Sequence, residues 1–115
     1  MPITSPAMRL VAHDELIDGM PVLALDGDVD LATLPVLRDH LTRFVAEHPA
    51  RVVAVDIESV GSLDDSGLGA LLGAAGRARQ GGGDLVVLCA GERLRERFAI
   101  TGLDRAIEIR SRSGS

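Results

Sequence analysis

Apolar residues recur along the chain with two different periods, and the alternation between the periods predicts an order of elements. Met8, Leu10, Val11 and Ala12 form one short apolar run and Val22, Leu23, Ala24 and Leu25 a second, with Asp14, Asp18, Gly19 and Pro21 between them. That pattern predicts two strands joined by a turn-rich connection, a hairpin or meander. From Asp30 the period lengthens: Leu31, Leu34, Leu37, Leu41 and Phe44 fall at helical spacing, while Arg38, Asp39, Thr42 and Arg43 take the other face. Asp30 is the expected N-cap and Pro49 the stop. Val52, Val53, Ala54, Val55 and Ile57 make a β-branched run broken only by Asp56, which suits a strand covered on both faces, as in parallel sheets.

A second helix is expected from near Ser66, with Leu68, Leu71, Leu72 and Ala75 as its buried stripe, Gly69, Ala70, Gly73 and Ala74 allowing close packing, and Gly81, Gly82 and Gly83 ending it. Residues 84–89 repeat the buried-strand pattern. Residues 92–100 then carry Leu94 and Phe98 four apart amid charges and close at Thr101 and Gly102, and 106–109 alternate as an edge strand does. The order β-β-α-β-α-β-α-β defines an α/β single domain, a mixed β-sheet with parallel crossovers packed against helices. The expected domain is 1–110, and the polar residues 111–115 are expected to form a flexible C-terminal tail; both chain ends are expected to fray.

Composition narrows the functions. With 115 residues and 46% hydrophobic content, the chain can bury roughly two-thirds of its unfolded surface without a disulfide or structural metal. The single Cys89 supplies neither an internal disulfide nor a thiolate zinc site and points to a reducing compartment. All twelve basic residues are arginine, so there is no lysine for a Schiff base, a P-loop or a receiver-type phosphorylation site. A net charge of −5, no Trp or Tyr, and only Phe44 and Phe98 as aromatics leave neither the positive field nor the stacking platforms of a nucleic-acid binder. The first six residues lack a basic segment followed by an apolar run, and no stretch approaches the length of a membrane span. The expectation is a cytoplasmic protein with no nucleic-acid partner and no direct membrane binding.

Ser62, Leu63, Asp64, Asp65, Ser66, Gly67, Leu68 and Gly69 form a strand-to-helix connection with two acids, a hydroxyl and two glycines, and such loops are favoured functional positions. Helix capping by Asp64 or Asp65 explains part of it, with Gly67 and Gly69 letting the helix approach the sheet. The chemical alternatives are a nucleophile, a metal site and a modified hydroxyl. A hydrolase elbow requires glycine two residues before and after the serine, where this chain has Asp64 and Leu68. None of His13, His40 and His48 sits in a recognisable catalytic loop. A metal site would gather Asp28, Asp30, Asp64 and Asp65 from two loops at one end of the sheet, although acids at helix starts also answer the helix dipole.

The stretch from Leu63 to Gly69 resembles the Asp-Ser-Ser-Gly-Leu-Gly signature of anti-sigma factor antagonists, the STAS-domain proteins. Gly27, Asp28, Val29, Asp30, Leu31, Ala32 and Thr33 resemble their Gly-Glu-Leu-Asp loop, and residues 98–109 are similar to their last helix and strand. The resemblance implies a STAS-like fold and a non-enzymatic, phosphorylation-gated switch without a cofactor. Unmodified, such a protein binds an anti-sigma factor with serine-kinase activity and frees the sigma factor; phosphorylation inactivates it and a serine phosphatase restores it. The modified serine carries over to Ser66, immediately before Gly67, Leu68 and Gly69, and Asp65 stands where the family often has a first serine. Partner contact is expected from Asp30, Asp64, Asp65, Gly67, Leu68, Asp28 and Thr33. The second reading is a STAS-like scaffold subunit of another signalling or transporter-associated complex.

Overall fold

The structure, a computed structural model, describes residues 9–112; Met8 and the first residues, for which a strand start and fraying were expected, and 113–115 of the expected tail 111–115 lie outside them, while Arg112 of that tail is tied to Asp56 and Glu15. Asp18 and Gly19 both take left-handed conformations, with φ of 51° and 81°, and so form a two-residue hairpin turn whose twist matches its flanking strands. The hairpin joins β1 (Leu10–Ile17) to β2 (Met20–Val29), paired antiparallel from Ile17 opposite Met20 outward. There follow α1 (Leu34–Glu47), β3 (Val52–Leu63), α2 (Asp65–Gln80), β4 (Asp84–Leu88), α3 (Glu92–Thr101), the single turn α4 (Leu103–Ala106) and β5 (Glu108–Arg110). The sheet order is β1-β2-β3-β4-β5, parallel from β2 onward. This is the expected α/β order, with one extra helical turn before an edge strand.

Leu23, Leu25, Val53, Val55, Ile57, Leu85 and Val87 face one side of the sheet and join the main core with Leu37, Leu41, Phe44, Leu71, Ala74, Ala75 and Phe98 of the helices. The alternate positions Val22, Ala54, Val86 and Leu88 make a separate cluster with Ile17 and Met20 packed against it. On that second face Asp56, also buried, is held by Arg112, whose Nε donates to its Oδ2 at 2.5 Å and whose Nη2 donates to Glu15 at 2.7 Å. No helix among the described residues is long and apolar enough to cross a membrane.

Two local expectations are corrected. Helix α1 starts at Leu34 with Thr33 at the cap position, not at Asp30, because Pro35 cannot donate a backbone hydrogen bond and its ring clashes with a carbonyl four residues earlier; it fits only within the first turn. Leu31, placed in the buried stripe by its spacing, is therefore in the loop and 75% exposed. In α2, Gly69, Leu72 and Gly73 lie on the solvent side while Gly67, Leu71, Ala74 and Ala75 are buried, because the helix turns about 100° per residue.

Candidate functional site

Parallel strands β2 and β3 end side by side, Val29 beside Leu63, so the β2–α1 and β3–α2 connections leave the same end of the sheet, where α/β folds place their ligands. A backbone bond from the Asp64 amide to the Val29 carbonyl (3.1 Å) ties the two connections together. The convergence expected of Asp28, Asp30, Thr33 and Ser66 from strand order is thus present.

In the first connection the Asp30 Oδ1 accepts from the Thr33 amide (3.0 Å), while the Thr33 hydroxyl accepts from the Asp30 amide (3.1 Å) and donates to the Asp28 carbonyl (2.8 Å). Thr33 is buried, and its hydroxyl is consumed in shaping the loop. The Asp28 carboxylate lies over Gly61 of β3, where an added Cβ would come within 2.7 Å of its Oδ1.

In the second connection Asp64, extended at φ −90° and ψ 179°, is the N-cap of α2, and its Oδ1 accepts from the Gly67 amide at 3.1 Å. The same oxygen accepts the Ser66 hydroxyl at 2.5 Å. These two donors, the hydroxyl first, hold the Asp64 carboxyl below the usual carboxylate range. Gly67 is fixed by packing: a Cβ there would lie 2.5 Å from Val29 Cγ1 and 2.6 Å from Leu63 Cδ1, so only glycine lets α2 begin this close to the sheet. Leu68 is also buried. Thr33, Gly67 and Leu68 therefore face inward and set the shape of the site, while Asp28, Asp30, Asp64 and Ser66 are partly exposed and Asp65 fully so.

Helix α3 closes one side. Arg97 Nη2 donates to Asp65 Oδ1 (2.6 Å) and Arg93 Nη2 to the Gly61 carbonyl (2.6 Å). Between the elements lies an open cavity of about 300 Å³ lined by Asp30, Ser62, Leu63, Asp64, Arg93 and Arg97. Sequence reasoning missed both arginines, although their spacing of four on a charged helix placed them on one face.

The acids do not assemble as metal ligands: Asp30 is engaged by the Thr33 amide within its loop and Asp64 as the cap of α2, and among the described residues no group of three or more His, Cys, Asp or Glu is placed to hold a metal ion. Ser66 has a carboxylate partner, whereas His13 bonds Glu15 and His48 bonds the Phe44 carbonyl.

The site is thus a pair of joined strand-to-helix loops at the end of a parallel-crossover sheet, one of them offering a serine hydroxyl at a helix start. The chain matches the STAS domain family over residues 12–115 and belongs to it. An anti-sigma-B factor antagonist of Listeria monocytogenes is 33% identical over 88 residues, covering 76% of this chain and 76% of that protein. Among solved structures, an anti-sigma factor antagonist from Mycobacterium paratuberculosis aligns with a TM-score of 0.79 at 25% identity, over 94% of this chain and 90% of that one. The Bacillus cell fate determinant SpoIIAA in its phosphorylated form aligns with a TM-score of 0.62 at 19% identity, over 88% of this chain and 92% of that one, a likeness of fold.

Proposed function

We propose that the chain is an anti-sigma factor antagonist of the cytoplasm: unmodified, it docks on an anti-sigma factor with serine-kinase activity and so frees a sigma factor, and phosphorylation of Ser66 ends the docking until a serine phosphatase reverses it. The observation that carries this reading is the Ser66 hydroxyl, half-buried at the start of α2 and donated to Asp64 where the two loops meet. In the transfer the Ser66 Oγ bonds to the γ-phosphorus of ATP, ADP leaves, and the hydroxyl proton goes to a base; Asp64 already accepts that proton as a hydrogen bond. The ester has no proton to donate, so an attractive contact becomes a dianion beside a carboxylate.

The docking face comprises Asp28, Asp30, Asp64, Asp65 and Ser66, with exposed Leu31 and Leu72 supplying apolar contact and Gly69 and Gly73 admitting a close neighbour. Thr33, Gly67 and Leu68 act by fixing its shape. A hundredfold loss of affinity requires only about 2.7 kcal/mol, which desolvating a new dianion within an interface supplies without any refolding. The test is the affinity of Ser66→Ala and Ser66→Asp for the kinase partner, with intact mass measured after incubation with ATP. Ser66→Ala is expected to bind like wild type and take no phosphate, and Ser66→Asp to bind more weakly; equal affinities for the two variants would remove the docking mechanism, and a wild type that takes no phosphate would leave a constitutive scaffold.

A further inference from the structure

Docking and phosphoryl transfer leave the two arginines of α3 unexplained. Arg93 and Arg97 stand one turn apart and line the cavity that Asp64 also lines. Arg93 gives its Nη2 to a neutral carbonyl, that of Gly61, and among the described residues no carboxylate pairs with it. Arg97 gives Nη2 to Asp65, a carboxylate 90% exposed to water, and a contact of that kind is readily exchanged. Its Nε is buried and has no hydrogen-bond partner, and among the described residues it alone is in that state. A buried donor without an acceptor is unfavourable and rare in folded proteins. Nε and one terminal nitrogen of a guanidinium form a fork that matches two oxygens of a carboxylate or phosphate. In Arg97 one prong is lent to a surface acid and the other is idle.

We propose that Arg97, supported by Arg93, is the receptor for the phosphoryl group of Ser66: on phosphorylation its fork leaves Asp65, closes on two phosphoryl oxygens and fastens α3 to the first turn of α2. The proposal rests on Ser66 being the modified hydroxyl. The placement is suitable: the Ser66 Oγ touches Asp64, and Asp64 is near enough to Arg97 for the guanidinium to help keep its carboxyl ionised. Asp64 is thus the link between the Ser66 hydroxyl and the cavity, whose lining sets the acids Asp30 and Asp64 against the cations Arg93 and Arg97. Release of Asp65 then changes the docking face at a second point, so the partner meets both a new dianion and a freed carboxylate.

The experiment uses the full chain with phosphoserine installed at position 66 during translation, so that its outcome does not depend on any kinase. A kinase reaction that leaves Ser66 unmodified would remove the biological premise and leave this measurement interpretable. Phosphorus NMR follows the second ionisation of the phosphate in wild type, Arg97→Gln, Arg97→Lys and Arg93→Gln. Loss of a guanidinium bound to the dianion is expected to raise that ionisation by about half a unit or more in Arg97→Gln, by less in Arg93→Gln, and Arg97→Lys is expected to recover part of the difference. In the wild type the Arg97 Nε–H resonance is expected to move downfield in the phosphorylated form and to stay in place in the unmodified one. The same phosphate titration in wild type and Arg97→Gln, or an Nε–H resonance that phosphorylation does not move, overturns the proposal; the second measurement needs no variant to fold.

Discussion

The two loops at the end of the sheet are built from the same materials and do opposite things with their hydroxyls. Each passes from a parallel strand to a helix through an aspartate that accepts a backbone amide three residues on: Asp30 from Thr33 and Asp64 from Gly67. In the first, the hydroxyl belongs to the residue whose amide the aspartate accepts, Thr33, which is 5% exposed, and it is spent on main-chain groups of Asp30 and Asp28. In the second, glycine occupies that position and the hydroxyl sits one residue earlier, where among the described residues its one hydrogen bond is to the cap itself. A one-residue displacement thus separates a buried hydroxyl that holds a loop from one that is partly exposed. The glycine that makes the displacement possible is the one whose Cβ would collide with Val29 and Leu63.

The comparison is broken most forcefully by removing each hydroxyl in turn. Thr33→Val keeps the shape but leaves the Asp30 amide and the Asp28 carbonyl without their partner, and is expected to cost about 2 kcal/mol or more of unfolding free energy, since buried unsatisfied groups carry about 1–3 kcal/mol each and these two are part-buried. Ser66→Ala removes a half-exposed donor and gains helix propensity, so it is expected to stay within about 1 kcal/mol of wild type. Urea unfolding of the two variants measures both. A larger loss in Ser66→Ala than in Thr33→Val would mean that the second loop, too, depends on its hydroxyl for structure.

The sequence discloses this division unevenly, for physical reasons. β2, β3, β4 and the three longer helices were legible because their apolar periodicity reflects burial against a core that spans the sheet. β1 extends to Ile17 through His13, Asp14 and Glu15 because an edge strand covered on one side needs few apolar positions. The outer part of β3 was not legible either: β4 accompanies it only to Asp56, and beyond Ile57 only Val60 and Leu63 of the strand are buried. α4 is one turn with one buried residue, Leu103, and has no period to detect. At the site, the type and order of residues indicated Ser66 and its acids. Which aspartate caps, which hydroxyl is inward and what α3 contributes depend on contacts across the chain, such as Arg97 with Asp65 at a separation of 32 residues, and local patterns carry no record of those.

A smaller effect sharpens the contrast between the two sides of α2. Gly69 has nothing within 4 Å of an added Cβ, so the fold gives no reason for a residue that weakens a helix. Gly69→Ala is expected to raise stability by about 0.5–1 kcal/mol in thermal unfolding and to weaken binding to the kinase partner, because the added methyl stands on the docking face. A gain in stability with unchanged binding would place the interface elsewhere.

The smallest expected effect reads the Asp64 cap alone, through pH. Its carboxyl is held below the ordinary range by the Ser66 hydroxyl first and the Gly67 amide second. A depressed carboxyl contributes stability above its unfolded-state pKa of about 3.9 and loses it as the pH falls through the lower folded value. Asp64→Asn keeps a capping oxygen but cannot titrate, so its unfolding free energy should fall less steeply with acid below about pH 4 than that of wild type. Glu15, Asp84 and Glu108, likewise depressed by their partners, contribute acid dependence equally in both proteins. Ser66→Ala should lie between the two, because it removes the larger of the two causes and leaves the amide. Superimposable acid limbs for Ser66→Ala and wild type would show that the hydroxyl does not rest on Asp64 in solution, and with that the distinction between the outward and the inward hydroxyl would fail at its outward end.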